Sequence, residues 1–228
     1  HEEATDLAIV LRVGALPAPV DVIQNLTVGA SLGQDSIRDG LYSGLAGALL
    51  VVLFMIVYYR TSGLIANISL AFNILLLFVG LAMLGSTLTL PGIAGIILSV
   101  GMGVDANILI YERMRDEFAL GKSVRAGVDA GFNRAFWSIV DGQVTTLITA
   151  LVLFLFGTGP IKGFAITLTF GILFNLFAVL FFSRLMFDSL LSLKILKKIS
   201  FLQMIGKTSF DFMSVRKIAF ACSSALVV

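Results

Sequence analysis

A single carboxylate interrupts the apolar residues 91–111, and it is the side chain in this sequence best placed to do chemistry. As a helix with a rise of about 1.5 Å per residue, this segment would be about 30 Å long, which matches the hydrocarbon core of a bilayer. The carboxylate is Asp105. An aspartate at the centre of a membrane helix costs about 2.5 to 3.5 kcal/mol, so its presence indicates a function. A carboxyl group removed from water favours its neutral form and can load and release a proton near physiological pH.

Further polar side chains fall at a similar predicted depth in the membrane. Counting about 1.5 Å per residue from the same membrane face places Asp105 about 9 Å deep and Asp141 about 7.5 Å deep. The remaining members of this predicted polar layer are Asn73, Asn107, Gln143, Thr145, Thr146 and Asn175. Carboxylates with hydroxyl and amide partners suit a relay for protons or cations. For Asp105, Asp141, the amides and the hydroxyls, hydrogen bonding between helices that only fixes their packing is the open alternative.

The composition argues against several other kinds of site. Of the 228 residues, 58% are hydrophobic and 13% are charged, whereas soluble domains carry about a quarter charged residues. One cysteine and one histidine leave no disulfide framework and no His/Cys cluster, so we expect no metal site, no cofactor and no catalytic residues. Residues 121–123 read Gly-Lys-Ser but lack the earlier glycine of a phosphate-binding loop. The net charge of +2 gives no argument for a nucleic-acid partner.

The elements that must hold Asp105 are membrane helices. Apolar runs of spanning length predict an all-α polytopic membrane protein. The predicted spans are residues 41–59, 64–84, 91–111, 136–156 and 163–183, with a sixth that starts near Ile218. Gly95, Ser99 and Gly103 recur at intervals of four on one stripe of the third helix, which predicts close packing against neighbouring helices. We therefore expect this helix to be central, with Asp105 turned toward protein or a wet cavity.

Residues 1–40 are the only polar block of domain character. Residues 2–13 are compatible with a helix that Pro17 and Pro19 must end, and the alternation in residues 20–28 predicts a strand. Forty residues are too few to close a core, so we expect the C-terminal end of a small α+β domain outside the membrane. The sequence lacks an N-terminal Met and stops inside an apolar run, which predicts a fragment of a longer protein.

Charged segments separate the later spans. Residues 112–135 are predicted to be a cytoplasmic connector, and residues 184–228 a cytoplasmic linker followed by the start of the sixth span. Within the connector, Gly121 should interrupt the helix, Ser123 should cap a second short helix, and Arg113 stands four residues before Glu117. A solvated connector with interfacial helices and a docking surface for a partner both remain open.

The basic residues indicate the orientation in the membrane. Thirteen of the 16 lysines and arginines fall in loops on one side of the predicted spans. Because cytoplasmic loops are enriched in these residues, this side is predicted to be cytoplasmic. Residues 1–40 are then expected outside the cytoplasm.

Three stretches of the sequence resemble a known family. They are LRVGALPAPVDVI at residues 11–23, GMGVDANILIYERMRDE at residues 101–117, and DGQVTTLITALVLFLFGTGPIKGFA at residues 141–165. They resemble the C-terminal half of the SecD family, subunits of the bacterial protein-export machinery that belong to the RND transporter superfamily. The likeness covers nearly all of residues 4–200. Residues 210–228 resemble the opening of the SecF family, which implies a fusion of the two.

The resemblance implies an RND-type helical bundle in the bacterial cell membrane, driven by protons or sodium ions. It also implies an extracytoplasmic domain that grips the emerging preprotein, and association with SecF and the SecYEG channel. The family's coupling acid corresponds to Asp105, the aspartate of GVDAN. Gly142 and Gln143 stand where the family pattern has Ala-Asn or Ser-Asn, so the role of Gln143 stays open.

Three functions fit the sequence at this point. The first is a preprotein translocation motor, the second an RND-type exporter of lipids or small molecules, and the third a passive scaffold in the lipid bilayer. A large porter domain with substrate-sized pockets would favour the exporter. Loss of Asp105 without consequence would favour the scaffold.

Overall fold

The computed structural model describes residues 30–85, 89–196 and 199–202, together with Arg216, Ala219, Phe220, Ser223 and Ser224, and the side chains from residue 35 onward. Two compact units divide the chain, His1–Arg38 and Asp39–Val228, and the helical bundle belongs to the second. The predicted helix at residues 2–13, the strand at residues 20–28 and the start of the sixth span near Ile218 lie outside the described residues.

All regular elements in the described part of the chain are helical. They are α1 (Ala30–Tyr59), α2 (Thr61–Met83), α3 (Leu90–Ala119), α4 (Val124–Phe156), α5 (Pro160–Phe177), a π-helical segment (Ala178–Ser183) and α6 (Arg184–Ser192). Five stretches are long and apolar enough to cross a membrane, because α5, the π-helical segment and α6 together form the last one, Pro160–Ser192. The predicted all-α polytopic class and its five complete spans are confirmed.

Local sequence signals set the ends of these helices. Thr89 precedes α3, and its Oγ1 accepts a hydrogen bond of 3.2 Å from the backbone N–H of Gly92. Ser123 caps α4 in the same way, with its Oγ accepting from the N–H of Ala126 at 3.4 Å. Such caps satisfy backbone donors that have no partner within the helix. Pro160 begins α5, where the missing N–H costs nothing.

The helices around the predicted connector run further than the apolar pattern indicates. Helix α3 continues to Ala119 and α4 begins at Val124, so residues 112–135 are mostly continuous with the two spans. The break falls at Gly121, whose φ of 81° lies in the left-handed region. The predicted interruption at Gly121 and the cap at Ser123 are confirmed, but the prediction that Ser123 caps a short helix is wrong, because α4 is 33 residues long. Hydropathy reports where lipid ends, whereas a helix ends only where its backbone hydrogen bonds stop.

Helix α3 is one of the central helices of the bundle. It packs against α2, α4 and α5, and 44% of its most apolar part is buried, the same share as for α2 and for Pro160–Ser192, compared with 6% for α1 and 11% for α4. The largest core cluster includes the C-terminal half of α3, where the rings of Tyr59, Tyr111, Phe187 and Phe132 form a chain in that order, with centroid separations of 5.4, 5.9 and 6.0 Å. Aromatic packing therefore fills the bundle at its predicted cytoplasmic end.

Candidate functional site

Asp105 lies on the exposed face of α3, in the wall of a cleft between α3 and α4. The cleft has a volume of about 180 Å³. No described residue forms a hydrogen bond or an ion pair with the Asp105 carboxylate. The other residues that line the cleft include Met102, Ala106 and Leu109 of α3 and Ser138, Gly142, Gln143 and Thr146 of α4. Asp105 therefore opens to a small polar space and not to the packed interior.

The helical repeat explains why Asp105 faces outward on an otherwise buried helix. Gly103 and Asn107 are buried, and each is two residues, or about 200° of helical rotation, from Asp105. Asp105 must therefore point away from the face that packs against α2 and α5. Opposite it on α4, Gly142 has no side chain, and a Cβ there would meet nothing within 4 Å. The glycine keeps this side of the cleft open.

Gln143 is a buried polar side chain in the lining of this cleft. It is 9% exposed, and its Oε1 has no hydrogen-bond partner among the described residues. Thr146 lines the cleft too, but its hydroxyl donates to the carbonyl of Gly142 in its own helix at 3.0 Å. An acid and a carboxamide oxygen thus share one small cleft, where they can bind a proton or a hard cation.

Two residues of the predicted polar layer lie on α4 outside the lining of this cleft. Asp141 and Thr145 are both exposed, and the Thr145 hydroxyl donates to the carbonyl of Asp141 at 2.9 Å. Thr149 repeats this pattern one turn later, donating to the carbonyl of Thr145 at 3.3 Å. The threonine hydroxyls satisfy themselves within α4, so they do not join helices.

The three asparagines of the predicted polar layer lie elsewhere. Asn73 of α2, Asn107 of α3 and Asn175 of α5 are each 1% exposed and belong to the bundle interior. The structure therefore divides the layer into two groups, one around Asp105 and one on the opposite face of α3. Depth along a helix predicted one layer, and the direction of the side chains separates it into two.

The stripe of small residues lies on the buried face of α3, against α5. A Cβ added at Gly95 would overlap the side chain of Thr167, and one added at Gly171 would overlap that of Ser99. One turn later, a Cβ at Gly103 would lie 3.1 Å from Oδ1 of Asn175. Each turn thus places a glycine of one helix against a polar side chain of the other, which brings the two backbones close together.

A buried carboxylate holds the turn between α3 and α4. The side chain of Glu117 has no exposed surface, and its two oxygens pair with Lys122 at 2.5 Å and with Arg134 at 2.7 Å. Among the described residues these are its ion pairs, and Arg113, four residues before Glu117, forms none with it. Glu117 lies beyond the apolar part of α3, and its hydrogen bond with Lys122 lowers the pKa of its carboxyl group, with Arg134 adding to the effect. Arg134 is distant in sequence, so no local pattern identified it.

Sequence reasoning also missed the π-helical segment. The hydroxyl of Ser69 in α2 donates to the carbonyl of Ala178, the first residue of that segment, at 2.8 Å. A π-helical turn displaces the regular backbone hydrogen bonds, and Ser69 satisfies one of the carbonyls concerned. Nothing in the residues AVLFFS distinguishes them from an ordinary apolar helix, so no sequence signal could have identified this segment.

Comparison with known proteins places this architecture in a family. The family model for the C-terminal part of the protein export membrane proteins SecD and SecF matches residues 14–193. The protein translocase subunits SecD of Syntrophobacter fumaroxidans and of Desulfurispirillum indicum are each 54% identical over 199 residues, which is 87% of this chain and 37% and 39% of those proteins. The chain thus spans well under half the length of these curated relatives.

A solved structure shares the fold described above. The crystal structure of SecDF, a translocon-associated membrane protein from Thermus thermophilus, aligns with a TM-score of 0.83 at 36% identity, over 99% of this chain and 31% of that chain. Because the family model covers most of the sequence and the SecDF structure has the same helical arrangement, this chain belongs to the SecD/SecF family of protein export membrane proteins.

Proposed function

We propose that this chain forms the membrane part of a non-enzymatic subunit of the bacterial Sec protein-export machinery. In this proposal it uses the proton or sodium motive force, through Asp105, to promote late steps of preprotein translocation. The observation that carries the proposal is the carboxylate of Asp105, which stands unpaired by any described residue in a polar cleft partway along an apolar helix. The names of the relatives, protein translocase subunit SecD and translocon-associated SecDF, support the export role.

The physical argument rests on the charge of Asp105. A carboxylate at membrane depth is stable only when a positive charge or a proton compensates it. Among the described residues no basic side chain does so, whereas Glu117 has two. A proton or a sodium ion that enters the cleft supplies the compensation, with oxygens of Gln143 and Ser138 available as further ligands or hydrogen-bond acceptors. Loading and unloading the site then changes the charge at the centre of the bundle.

The open side of the cleft indicates what completes the site. Asp105 is exposed, and so are Asp141, Thr145 and Thr149 of α4, the helix that forms the other wall of the cleft. Contact between lipid and exposed charged side chains is unfavourable in free energy. Membrane helices therefore turn charged residues toward other helices or toward water. We propose that a SecF-related helical bundle, fused or separate, covers the open side of the cleft. The family model, which spans both SecD and SecF, supports this partner.

The remaining parts of the proposal follow from the family. The subunit would act with the SecYEG channel on a translocating preprotein in the bacterial inner membrane, with residues 1–40 on the extracytoplasmic side. The basic residues Arg60, between α1 and α2, and Lys122, between α3 and α4, lie in the turns that join these helices, which supports the proposed cytoplasmic face.

The test is preprotein export in cells whose only copy of the intact protein carries Asp105→Asn. Asparagine keeps the size and hydrogen-bonding capacity of aspartate but cannot titrate. We expect normal amounts of folded protein and loss of the export that depends on the motive force, with partial activity for Asp105→Glu. The matched control is Asp116→Asn, an exposed acid of the same helix beyond its apolar part, which should export normally.

Two further measurements define the outcome. Collapsing the proton gradient alone and the sodium gradient alone shows which ion drives wild-type export. Full export by Asp105→Asn under an intact motive force would contradict the proposal and would favour the passive scaffold.

A further inference from the structure

A second polar site lies inside the bundle, on the face of α3 opposite Asp105. Asn73 of α2 and Asn175 of α5 are each 1% exposed, and the amide nitrogen and oxygen of both have no hydrogen-bond partner among the described residues. A Cβ built on Gly103 would lie 3.1 Å from Oδ1 of Asn175 and 3.6 Å from Nδ2 of Asn73. The two amides therefore converge on the same point of α3, where an added Cβ would crowd Oδ1 of Asn175 and, at 3.3 Å, Cδ1 of Leu70.

Buried amides of this kind require partners. Each asparagine side chain can donate two hydrogen bonds and accept two, and buried polar groups in native proteins are satisfied with few exceptions. The surroundings of these amides are helices of high hydropathy, in which an unsatisfied donor or acceptor is costly. Asn107, one turn further along α3, donates to the carbonyl of Gly103 at 2.9 Å and presents a third unpaired buried oxygen on this face.

We propose that Asn73 and Asn175 bind water in the interior of the bundle, beside Gly103, at the joint between α2, α3 and α5. Both donors and acceptors are left over at this site, and water is the ligand that accepts from an amide NH₂ group and donates to an amide oxygen. A sodium ion would satisfy the oxygens and leave both NH₂ groups without acceptors. A direct hydrogen bond between the two amides would use one donor and one acceptor and leave the rest unpaired.

The position of this water site in the fold gives it a structural role. Asn175 precedes the π-helical segment by three residues, and Ser69, one turn before Asn73 on α2, bonds the first carbonyl of that segment. The site therefore joins three helices where α5 departs from regular helical geometry. Water-bridged contacts hold buried polar groups almost as well as direct ones. This inference does not depend on Asp105 or on the export function.

The first test replaces the proposed water by a side chain. Gly103→Ala places a methyl group between the two amides without a hydrogen-bonding atom, whereas Gly103→Ser adds a hydroxyl that can take the place of the water. Gly101→Ala and Gly101→Ser are the matched controls for helix propensity, because a Cβ at Gly101 meets nothing within 4 Å. The measurement is the Tm of the intact purified protein in detergent.

Relative to the Gly101 controls, we expect Gly103→Ala to lower the Tm by about 3 °C or more and Gly103→Ser to lower it by clearly less. If the Tm shifts of Gly103→Ala and Gly103→Ser are equal after the shifts of the matching Gly101 variants are subtracted, only the added volume matters there and the proposal is overturned.

The second test needs no variant. An experimental density map at about 2 Å resolution should show solvent within hydrogen-bond distance of both Asn73 and Asn175. A direct amide pair with no solvent between them would overturn the proposal. Asn175→Leu should leave any difference in Tm between sodium chloride and choline chloride at the same ionic strength unchanged, whereas a sodium-dependent rise that Asn175→Leu abolishes would assign the site to a cation instead.

Discussion

On one face of α3, Gly95, Ser99 and Gly103 lie against α5 so closely that added methyl groups would overlap their neighbours. On the other face, Asp105 borders a cleft and a Cβ at Gly101 would meet nothing. The first we call the closed face and the second the open face. The two differ by about half a helical turn at the same membrane depth. A polar residue in a membrane helix therefore takes its meaning from its direction as much as from its depth.

The two carboxylates Asp105 and Glu117 on these faces show the same difference. Glu117 extends the closed face beyond the apolar part of α3, has no exposed surface and pairs with Lys122 and Arg134. Asp105 on the open face has no such partner among the described residues. A carboxylate with two cations has its charge compensated and serves to hold the turn. One without them remains available to an ion or a proton, which is why we assign coupling to Asp105 and not to Glu117.

The largest expected effect comes from adding volume to the closed face. Gly95→Leu would force Thr167 and α5 away from α3, and overpacking in a tight contact typically costs about 1 to 3 kcal/mol or more. We expect most of the protein to be lost as aggregate, measured by size-exclusion chromatography of a fluorescent fusion. Gly101→Leu, the same change on the open face, is the control and should elute like wild type. Similar elution profiles for Gly95→Leu and Gly101→Leu would show that the closed and open faces do not differ in packing.

A smaller effect is expected when the closed-face carboxylate is neutralised. Because the pKa of Glu117 is lowered in the folded protein, its stabilising contribution is present above the unfolded value of about 4.3 and is lost as the pH falls through the lower folded value. Glu117→Gln should therefore have a lower Tm than wild type at pH 7, and the difference should shrink as the pH falls below about 4.3 and vanish below the folded pKa. Asp116→Asn, exposed on the same helix, should show no difference at either pH. A Tm difference for Glu117→Gln that stays constant with pH would show that its charge is not what stabilises the turn.

The smallest effect is expected at Asp141, which shares the open surface but does not line the cleft. If coupling requires the cleft, Asp141→Asn should reduce export driven by the motive force by less than half, whereas Asp105→Asn should abolish it. Both variants are compared in the same export assay at matched protein levels. An equal loss for the two acids would extend the coupling site from the cleft to the whole open face of α3 and α4.

Much of the architecture could be predicted because it depends on local composition. Apolar length identified the five spans, Gly121 and Ser123 marked the turn, and the interval of four between Gly95, Ser99 and Gly103 indicated the stripe that lies against α5. These features follow from the rise of the helix, the backbone freedom of glycine and the capping chemistry of serine, each of which acts within a few residues. The coupling role of Asp105 and the packing role of the stripe remain predictions.

By itself, then, the sequence determined that α3 is long and apolar enough to cross a membrane and that one acid lies partway along it. Only the tertiary structure decided that Asp105 and Gln143 share a cleft, while Asn73 and Asn175 meet on the far side of the same helix. It also decided that Arg134 pairs with Glu117 as a second cation beside Lys122. It decided as well that the Ser69 hydroxyl donates to the first carbonyl of the π-helical segment. The physical reason is that depth depends on the number of residues along one helix, whereas the partners of a side chain depend on how neighbouring helices rotate and pack against it.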